Sequence, residues 1–210
     1  MDAVKPDSSE TQTLLLQAHR GDRRAFDELF GRHREALRWS VELRLDGKLR
    51  ARVDPSDIVQ ETHLEAYQRL ADYLVRRPMP FRLWLRKTAY ERLLKVQRHH
   101  LKTARRTVSR EISLPEHSSI LLADQLLADG PTPSQQIAKG ELAQRLRGAL
   151  MQLPAPQREV LLMRNFEGLS YQEVACILDI DPATARKRYG RALLQLRCLL
   201  LEGGLTESEL

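Results

Sequence analysis

Apolar residues along the chain recur mostly at intervals of three and four, which is the spacing of one face of an α-helix. The pattern predicts helices over about residues 11–20, 23–45 and 81–100, and another that begins after Asp54 and Pro55. An aspartate followed by proline is typical of a helix start, because the carboxylate caps free N–H groups and proline needs no partner in the first turn. No stretch of alternating apolar and polar residues is long enough to form a β-strand, so the predicted fold class is all-α.

A second Asp-Pro pair, at positions 181 and 182, lies in the C-terminal stretch LSYQEVACILDIDPATARKRYGRAL. Ahead of it, Ser170 and Glu173 have the spacing of a capping box before a short amphipathic segment. Only Asp179 and Ile180 remain for the corner between the two segments. The pattern predicts a helix-turn-helix, whose second helix lies in the DNA major groove. An ordinary helical hairpin with a solvated basic face is the alternative.

The second of these segments has one apolar stripe when positions are placed at about 100° per residue. The stripe comprises Ala185, Tyr189, Ala192, Leu193 and Leu196. The side chains predicted to face away from it are Ala183, Lys187, Gly190 and Arg191, with Arg186 and Arg188 at its flanks. No acidic residue occurs between Pro182 and Arg197, so the exposed side of this helix is predicted to be cationic.

Charge is distributed unevenly along the chain. The net charge of +6 over 210 residues by itself indicates little beyond tolerance of polyanions. Residues 1–81 contain 14 basic and 14 acidic side chains, whereas residues 82–110 contain ten basic side chains and one acidic. Apolar residues interleaved up to about residue 100 favour a folded, phosphate-facing surface over a solvated tail.

Cysteine usage and hydropathy narrow the remaining classes. Cys176 and Cys198 form no CxxC pair and have no histidine at ligand spacing, which argues against a zinc site or a disulfide framework. Cys176 is expected to be buried. The first residues, MDAVKPDSSETQT, are polar, and no apolar run approaches about 18 residues, so we expect neither a signal peptide nor a membrane span. The expected location is the cytoplasm.

Periodicity fades between about residues 101 and 139, where stretches such as ADGPTPS contain turn formers. These residues are predicted to form a flexible linker with one short helix near residues 120–127. Two helical domains are therefore expected, over residues 10–100 and 140–201. Within the first, the prolines of RRPMP at 76–80 interrupt the helical pattern.

The helix after Asp54 has two contrasting sides. Its predicted core side contains Ile58, Val59, Thr62, Ala66, Leu70 and Tyr73, and its opposite side contains Asp57, Gln60, Glu61, Leu64 and Tyr67. Three interpretations remain: paired catalytic or metal-binding carboxylates, a docking surface for a basic partner, and a solvated face with stray apolar residues. The first is disfavoured, because no third ligand stands at helical spacing. Trp84, on the side of Phe81 and Leu85, is expected in the core.

Three segments in this order resemble the bacterial RNA polymerase sigma factors of the sigma-70 family, in the small extracytoplasmic-function (ECF) subgroup. DPSDIVQETHLEAY resembles region 2.2, PFRLWLRKTAYERLLKVQR regions 2.3 and 2.4, and LPAPQREVLLMRNFEGLSYQEVACILDIDPATARKRYGRAL region 4. The resemblance covers nearly the whole chain. It implies a non-catalytic initiation factor that needs no cofactor or metal, with core RNA polymerase and promoter DNA, duplex and melted, as partners. An anti-sigma factor is a further expected partner.

The resemblance also implies roles for individual residues. The residues implied to bind the clamp helices of the polymerase's largest subunit are Asp54, Asp57, Gln60, Glu61 and Leu64. Near the promoter's −10 element, the resemblance implies that Arg82, Arg86 and Lys87 contact phosphates. It also implies that the loop with Arg76, Arg77 and Met79 binds an extruded base. Reading of the −35 element falls to Pro182, Ala183, Thr184, Arg186, Lys187 and Arg191. The rival hypotheses are a stand-alone helix-turn-helix regulator and a metal-dependent DNA-processing enzyme.

Overall fold

The computed structural model of the chain describes residues 4–45, 47–104 and 133–204. All regular secondary structure within these ranges is helical, so the all-α prediction is confirmed. The chain divides into two compact units, with the main boundary between residues 113 and 114. Most of the predicted linker, including the short helix near residues 120–127, lies outside the described ranges.

Six helices precede this boundary in the described residues. They are Ser9–His19 (α1), Arg23–Glu42 (α2), Gly47–Arg50 (α3), Pro55–Gln68 (α4), Leu70–Arg76 (α5) and Phe81–Ala104 (α6). Asp22 caps α2 by accepting hydrogen bonds from the N–H groups of Arg24 and Ala25 at 3.0 and 3.3 Å. Asp54 caps α4 as predicted, and its carboxylate accepts from the N–H of Ser56 at 2.7 Å.

The core of this unit lies between α1, α2, α4, α5 and α6. Its largest fully buried side chains include Phe26, Leu29, Phe30, Phe81 and Leu85. Trp84 is also buried, as predicted, and its ring stacks on that of Tyr73 with 4.5 Å between centroids. The amphipathic pattern of the sequence therefore identifies the faces that pack together.

The helix predicted to run from Pro55 through Tyr73 is broken in two. Arg69 has φ −96° and ψ 5°, which ends α4 and precedes α5. Leu70 and Tyr73 are nevertheless buried as predicted, because the break keeps them on the core side. α5 ends at Arg76, and the next residue, Arg77, has a φ of 37° and a ψ of 56°, which lie in the left-handed region. The predicted interruption by RRPMP is confirmed.

Within residues 133–204, which are described, the chain forms four helices: Pro133–Gln152 (α7), Ala155–Asn165 (α8), Tyr171–Leu178 (α9) and Pro182–Glu202 (α10). α7 begins ahead of the predicted domain start near residue 140. Proline suits the first helical position, and the glutamine, alanine and lysine residues that follow favour a helix over a linker. α10 packs on α7 and α8, and its buried residues are Ala185, Ala192, Leu196 and Leu200.

The structure also bears on the two cysteines and on the expected lack of a membrane span. Cys176 is half-buried rather than buried, because it lies at the edge of the apolar face of α9 between Ala175 and Ile177, which are buried. Cys176 and Cys198 are both free thiols. Within the described ranges, none of the helices combines the length and the hydropathy needed to cross a membrane.

Candidate macromolecule-binding surfaces

The outward side of α4 forms an acidic face. We use this name for Asp54, Asp57, Gln60, Glu61 and Leu64, which follow one another along the helix at three- and four-residue spacing or cap its start. Leu64 is 52% exposed, and Asp57 and Gln60 are also exposed. The structure therefore brings these five predicted residues together on one surface, with an apolar side chain among polar ones.

Glu61 is paired with a cation from the neighbouring helix. Arg92 on α6 donates from Nε to Glu61 Oε2 at 2.6 Å, and its Nη1 lies 4.0 Å from Glu65 Oε2. The hydrogen bond to Glu61 holds the pKa of Arg92 above its ordinary value. In the part of the chain that the structure describes, no group of histidine, cysteine, aspartate and glutamate side chains is arranged to hold a metal ion.

Two aromatic side chains border the acidic face. His63 lies at its boundary as predicted, with Nε2 2.9 Å from Asp27 Oδ1 and its ring 4.6 Å from that of Phe30. Tyr67 is exposed, but its ring packs edge-on against Phe26, with 5.2 Å between centroids. The core therefore anchors one side of the Tyr67 ring, and the other side remains exposed.

The first turns of α6 carry a second group of predicted residues. Arg82, Arg86 and Lys87 are half-buried in the first two turns of the helix, whereas Phe81 and Leu85 beside them are buried. Burial, and then the positive charge of Arg86, hold the pKa of the nearby His33 below its ordinary value. Arg82 and Arg32 act on this pKa in the same direction as Arg86, whereas Asp7 opposes them, so the cations add to an effect that burial begins.

The loop between α5 and α6 contains the other residues predicted for this region. Arg76 and Arg77 are exposed, whereas Met79 is half-buried and packs against the core. The N–H of Arg77 donates to the carbonyl of Tyr73 at 2.7 Å, and the hydroxyl of Tyr73 donates to the carbonyl of Met79 at 3.1 Å. The loop therefore has a defined conformation that leaves its arginines on the surface.

Asp7 contacts this region and was not identified from the sequence. Its carboxylate accepts the N–H of Phe81, the first residue of α6, at 2.9 and 3.0 Å. Asp7 lies in a polar N-terminal stretch, 74 residues before Phe81. Local sequence patterns contain no signal for a cap across such a distance.

The predicted helix-turn-helix is present as α9 and α10. The N–H of Ser170 donates to Glu173 Oε2 at 2.9 Å, and the N–H of Glu173 donates to Ser170 Oγ at 3.2 Å, which confirms the capping box. The corner includes Asp179 with a φ of 52°. Asp181 then caps α10 and accepts from the N–H of Thr184 at 2.7 Å.

The outward side of α10 carries the third group. Its exposed members are Pro182, Ala183, Arg186, Lys187 and Arg191. Thr184 is half-buried, and its hydroxyl donates to the carboxylate of Asp181. This hydrogen bond is the main reason that the pKa of Asp181 lies below its ordinary value. The predicted surface is therefore present, with Thr184 engaged in capping.

The apolar stripe of α10 is narrower than predicted. Ala185, Ala192 and Leu196 are buried, but Leu193 is 40% exposed. Leu193 lies about 80° from Ala185 around the helix, at the edge of the stripe. Leu193 is therefore an exposed member of the predicted stripe, because the packed side of α10 follows the other three residues.

Arg186 is held against an aromatic ring that the sequence did not identify as part of this surface. Its guanidinium lies 5.2 Å from the ring centroid of Tyr171 on α9, and the guanidinium of Arg164 lies 4.2 Å from the same centroid. Arg164 is itself anchored by a hydrogen bond to the carbonyl of Leu169. Tyr189 completes the cluster, with its ring 5.8 Å from that of Tyr171. The cluster spans three helices, so helical periodicity within any one of them gives no signal for it.

Comparison with known proteins gives consistent results over most of the chain. Residues 143–196 match the sequence family described as sigma-70, region 4. The ECF RNA polymerase sigma factor SigE of Mycolicibacterium smegmatis is 30% identical over 199 residues, which cover 93% of this chain and 70% of that relative. The RNA polymerase sigma factor CnrH of Cupriavidus metallidurans is 30% identical over 197 residues, which cover 94% of this chain and 97% of that relative.

Solved structures share the helical fold. A structure of CnrH in complex with the cytosolic domain of CnrY matches with a TM-score of 0.61 at 23% identity, over 94% of this chain and 100% of that chain. A co-crystal structure of the sigma factor RpoE with the anti-sigma factor NepR from Bartonella quintana matches with a TM-score of 0.56 at 20% identity, over 83% and 96% of the two chains.

Proposed function

Because the chain belongs to the extracytoplasmic-function group of RNA polymerase sigma factors, we propose that the surfaces on α4, α6 and α10 each bind a different partner in transcription initiation. The protein binds core RNA polymerase and directs promoter recognition, DNA melting and transcription initiation. In the proposed division, the acidic face of α4 binds the polymerase. The start of α6, with the loop before it, binds the −10 element, and the outward side of α10 binds the −35 element.

The observation that carries this proposal is the separation of charge among the helices. The acidic face of α4 presents two exposed aspartates beside Leu64, whereas α10 presents three exposed cations and no acid over its first turns. The acidic face of α4 suits a basic protein partner, and the cationic side of α10 suits phosphates and guanine edges. One chain with both can bridge a protein and DNA.

For the acidic face, Leu64 supplies apolar contact and the carboxylates supply orientation. Covering the exposed half of a leucine side chain is worth about 1 kcal/mol. Charged groups at the edge of an interface mainly accelerate association and exclude wrong partners. Following the family resemblance, we assign Asp54, Asp57, Gln60, Glu61 and Leu64 to binding of the clamp helices of the polymerase's largest subunit.

For the −10 element, the proposal assigns phosphates to Arg82, Arg86 and Lys87. A melted strand also needs contacts for its unstacked bases, since stacking and pocket contacts offset the loss of the duplex. Arg76, Arg77 and Met79 surround the loop that would provide them. The defined conformation of this loop supports the assignment.

For the −35 element, α10 would lie in the major groove with its first turns toward the bases. The residues assigned to this contact are Pro182, Ala183, Thr184, Arg186, Lys187 and Arg191. A bidentate arginine contact to guanine contributes about 1–3 kcal/mol of discrimination. Arg186 is the best placed for such a contact, because the ring of Tyr171 limits the orientations of its guanidinium.

The proposal extends to chemistry, partners and location. The relatives are sigma factors, and we propose that this chain has no catalytic residues and needs no cofactor or metal, since the polymerase forms the RNA bonds. One structural relative is bound to an anti-sigma factor, and we assign a partner of that kind to this chain. It would act in the cytoplasm, where polymerase and promoter DNA meet.

The experiment that tests the proposal is a pull-down of core RNA polymerase by the full-length chain, followed by promoter-dependent transcription. We expect polymerase to co-purify and the resulting holoenzyme to start transcripts at defined sites. A stand-alone helix-turn-helix regulator would instead bind duplex promoter as a dimer without polymerase. Failure of polymerase to co-purify would overturn the proposal.

A further inference from the structure

Residues 4–8 cross the start of α6 and supply its cap. The first N–H groups of a helix lack partners within the helix, and a local residue usually satisfies one of them. Pro80, which precedes α6, has no side-chain oxygen and cannot do so. The carboxylate of Asp7 takes this role by accepting the N–H of Phe81 at 2.9 and 3.0 Å. A negative charge at a helix N-terminus is also favoured by the helix dipole.

Asp7 is linked to the loop before α6 through Tyr73. The hydroxyl of Tyr73 lies 3.5 Å from Asp7 Oδ2 and donates to the carbonyl of Met79 at 3.1 Å. Burial, and then the negative charge of Asp7, hold the pKa of Tyr73 well above its ordinary value. The two side chains therefore fix the loop at Met79 and at its junction with α6.

The conformation of this loop depends on such contacts. Arg77 has a φ of 37°, in the left-handed region that a residue with a side chain keeps only where its surroundings hold it there. The same N-terminal stretch also reaches one of the cationic side chains, since Arg82 Nη2 donates to the carbonyl of Lys5 at 3.3 Å. Thus residues 4–8 contact Tyr73, the start of α6 and Arg82, and they reach the loop through Tyr73.

We infer that Asp7 is a positioning residue for promoter opening. It holds the loop at 77–80 and the first turn of α6 in the geometry that receives the melted −10 strand, and it makes no contact with DNA itself. This inference rests on the proposed role of the loop and of α6. It adds a residue far from both in sequence, whose contribution is made through the N–H of Phe81 and the hydroxyl of Tyr73.

The test compares full-length variants bound to core polymerase, with 2-aminopurine in the −10 element to report strand opening. Asp7→Ala should reduce the rate of opening by on the order of tenfold, as expected for loss of a helix cap, while polymerase affinity stays within about twofold of wild type. Asp7→Asn should restore most of the rate, because its side-chain oxygen still accepts the N–H of Phe81.

Two reference variants separate the explanations. Asp22→Ala removes the cap of α2 instead and should lower thermal stability comparably while opening stays normal. Equal slowing by Asp22→Ala and Asp7→Ala would overturn the inference, because general destabilisation would then account for both. Arg86→Ala tests the −10 surface itself. Slow opening with Arg86→Ala but normal opening with Asp7→Ala would overturn the role of Asp7 alone, and normal opening with both would overturn the −10 assignment as well.

Discussion

Arg92 on α6 donates its Nε–H to Glu61 Oε2 on α4 at 2.6 Å. One carboxylate of the acidic face is therefore already paired with a cation of the same unit. A basic partner that docks there must share the carboxylate with Arg92 or displace the guanidinium. Glu65, whose Oε2 lies 4.0 Å from Arg92 Nη1, would keep a displaced guanidinium in acidic surroundings and so lower the cost of the exchange.

Replacing Glu61 with lysine should weaken the association of the full-length chain with core RNA polymerase by on the order of tenfold or more, because it places a positive charge against a basic partner. Fluorescence anisotropy with labelled chain measures this affinity. Glu10→Lys makes the same change in charge on α1, where Glu10 pairs with Arg32 at the surface, and should have an effect within about twofold. Equal weakening by both substitutions would contradict a specific role for Glu61.

Leu64→Ala should weaken polymerase binding by roughly fivefold, since about 1 kcal/mol of apolar contact is lost. The unfolding temperature should stay close to that of wild type, because the side chain is 52% exposed. Leu16→Ala on α1 is a matched control, since Leu16 is 49% exposed, and it should leave binding unchanged. A Leu64→Ala variant with wild-type affinity would show that polymerase does not cover this part of α4.

Arg186→Ala should reduce discrimination between an intact and an altered −35 duplex by roughly fivefold or more, as expected for loss of a contact to guanine. Competition binding by the holoenzyme measures the ratio of the two affinities. If both duplexes weaken alike and the dependence of log affinity on log salt falls by about one, Arg186 contacts a phosphate and the assignment to a base is wrong.

Tyr171→Leu should lower the same discrimination by about two- to fivefold, because the cation–π contact that orients Arg186 is lost. Tyr171→Phe keeps the ring and should behave as wild type. In a chain that already carries Arg186→Ala, the Tyr171→Leu change should have no further effect on discrimination. Additive losses would indicate that Tyr171 acts independently of Arg186.

The cap of α10 gives a prediction about pH. The pKa of Asp181 lies below its ordinary value, chiefly because of the hydrogen bond from the Thr184 hydroxyl. A carboxylate whose pKa is lowered on folding stabilises the native state above its unfolded pKa, about 3.9 for aspartate, and this contribution is lost as the pH falls through the folded value. Wild type should therefore melt at a higher temperature than Asp181→Ala at pH 7.

The difference in melting temperature between these two proteins should shrink as the pH falls below about 4. Asp181→Asn keeps the cap without a titrating carboxylate, so its melting temperature should exceed that of Asp181→Ala by an amount that changes little over the same range. Thermal unfolding followed by circular dichroism measures all three. A constant difference between wild type and Asp181→Ala down to pH 2 would contradict the role of the charged carboxylate.

Features set by neighbouring residues could be predicted from the sequence. The caps at Asp54 and Asp181 and the capping box at Ser170 and Glu173 each involve groups within three residues of one another. The apolar faces of α4 and α10 were also predicted, since helical periodicity alone places most of their residues. The exposed position of the proposed contact residues on those helices follows from the same periodicity.

Features that need contacts between distant residues could not be predicted. The break at Arg69 leaves the apolar periodicity intact, so no change in pattern marks it. Leu193 lies at the edge of a stripe whose width is decided by the helices packed against α10. Tyr171 joins Arg164 and Arg186 from three helices, and the relation between them is visible only after those helices have packed.

The cap that Asp7 provides for α6 has a consequence for how this unit folds while the chain is being synthesised. The ribosome makes Asp7 well before Phe81, and at roughly 5–20 residues per second the 74 intervening residues take roughly 4–15 s. Throughout that interval α6 is not yet available to the Asp7 carboxylate. The hydrogen bond to the N–H of Phe81 can form only after the residues between them have been made. The loop that we assign to the melted strand can therefore acquire its shape only after the first and the last helices of this unit have both been made.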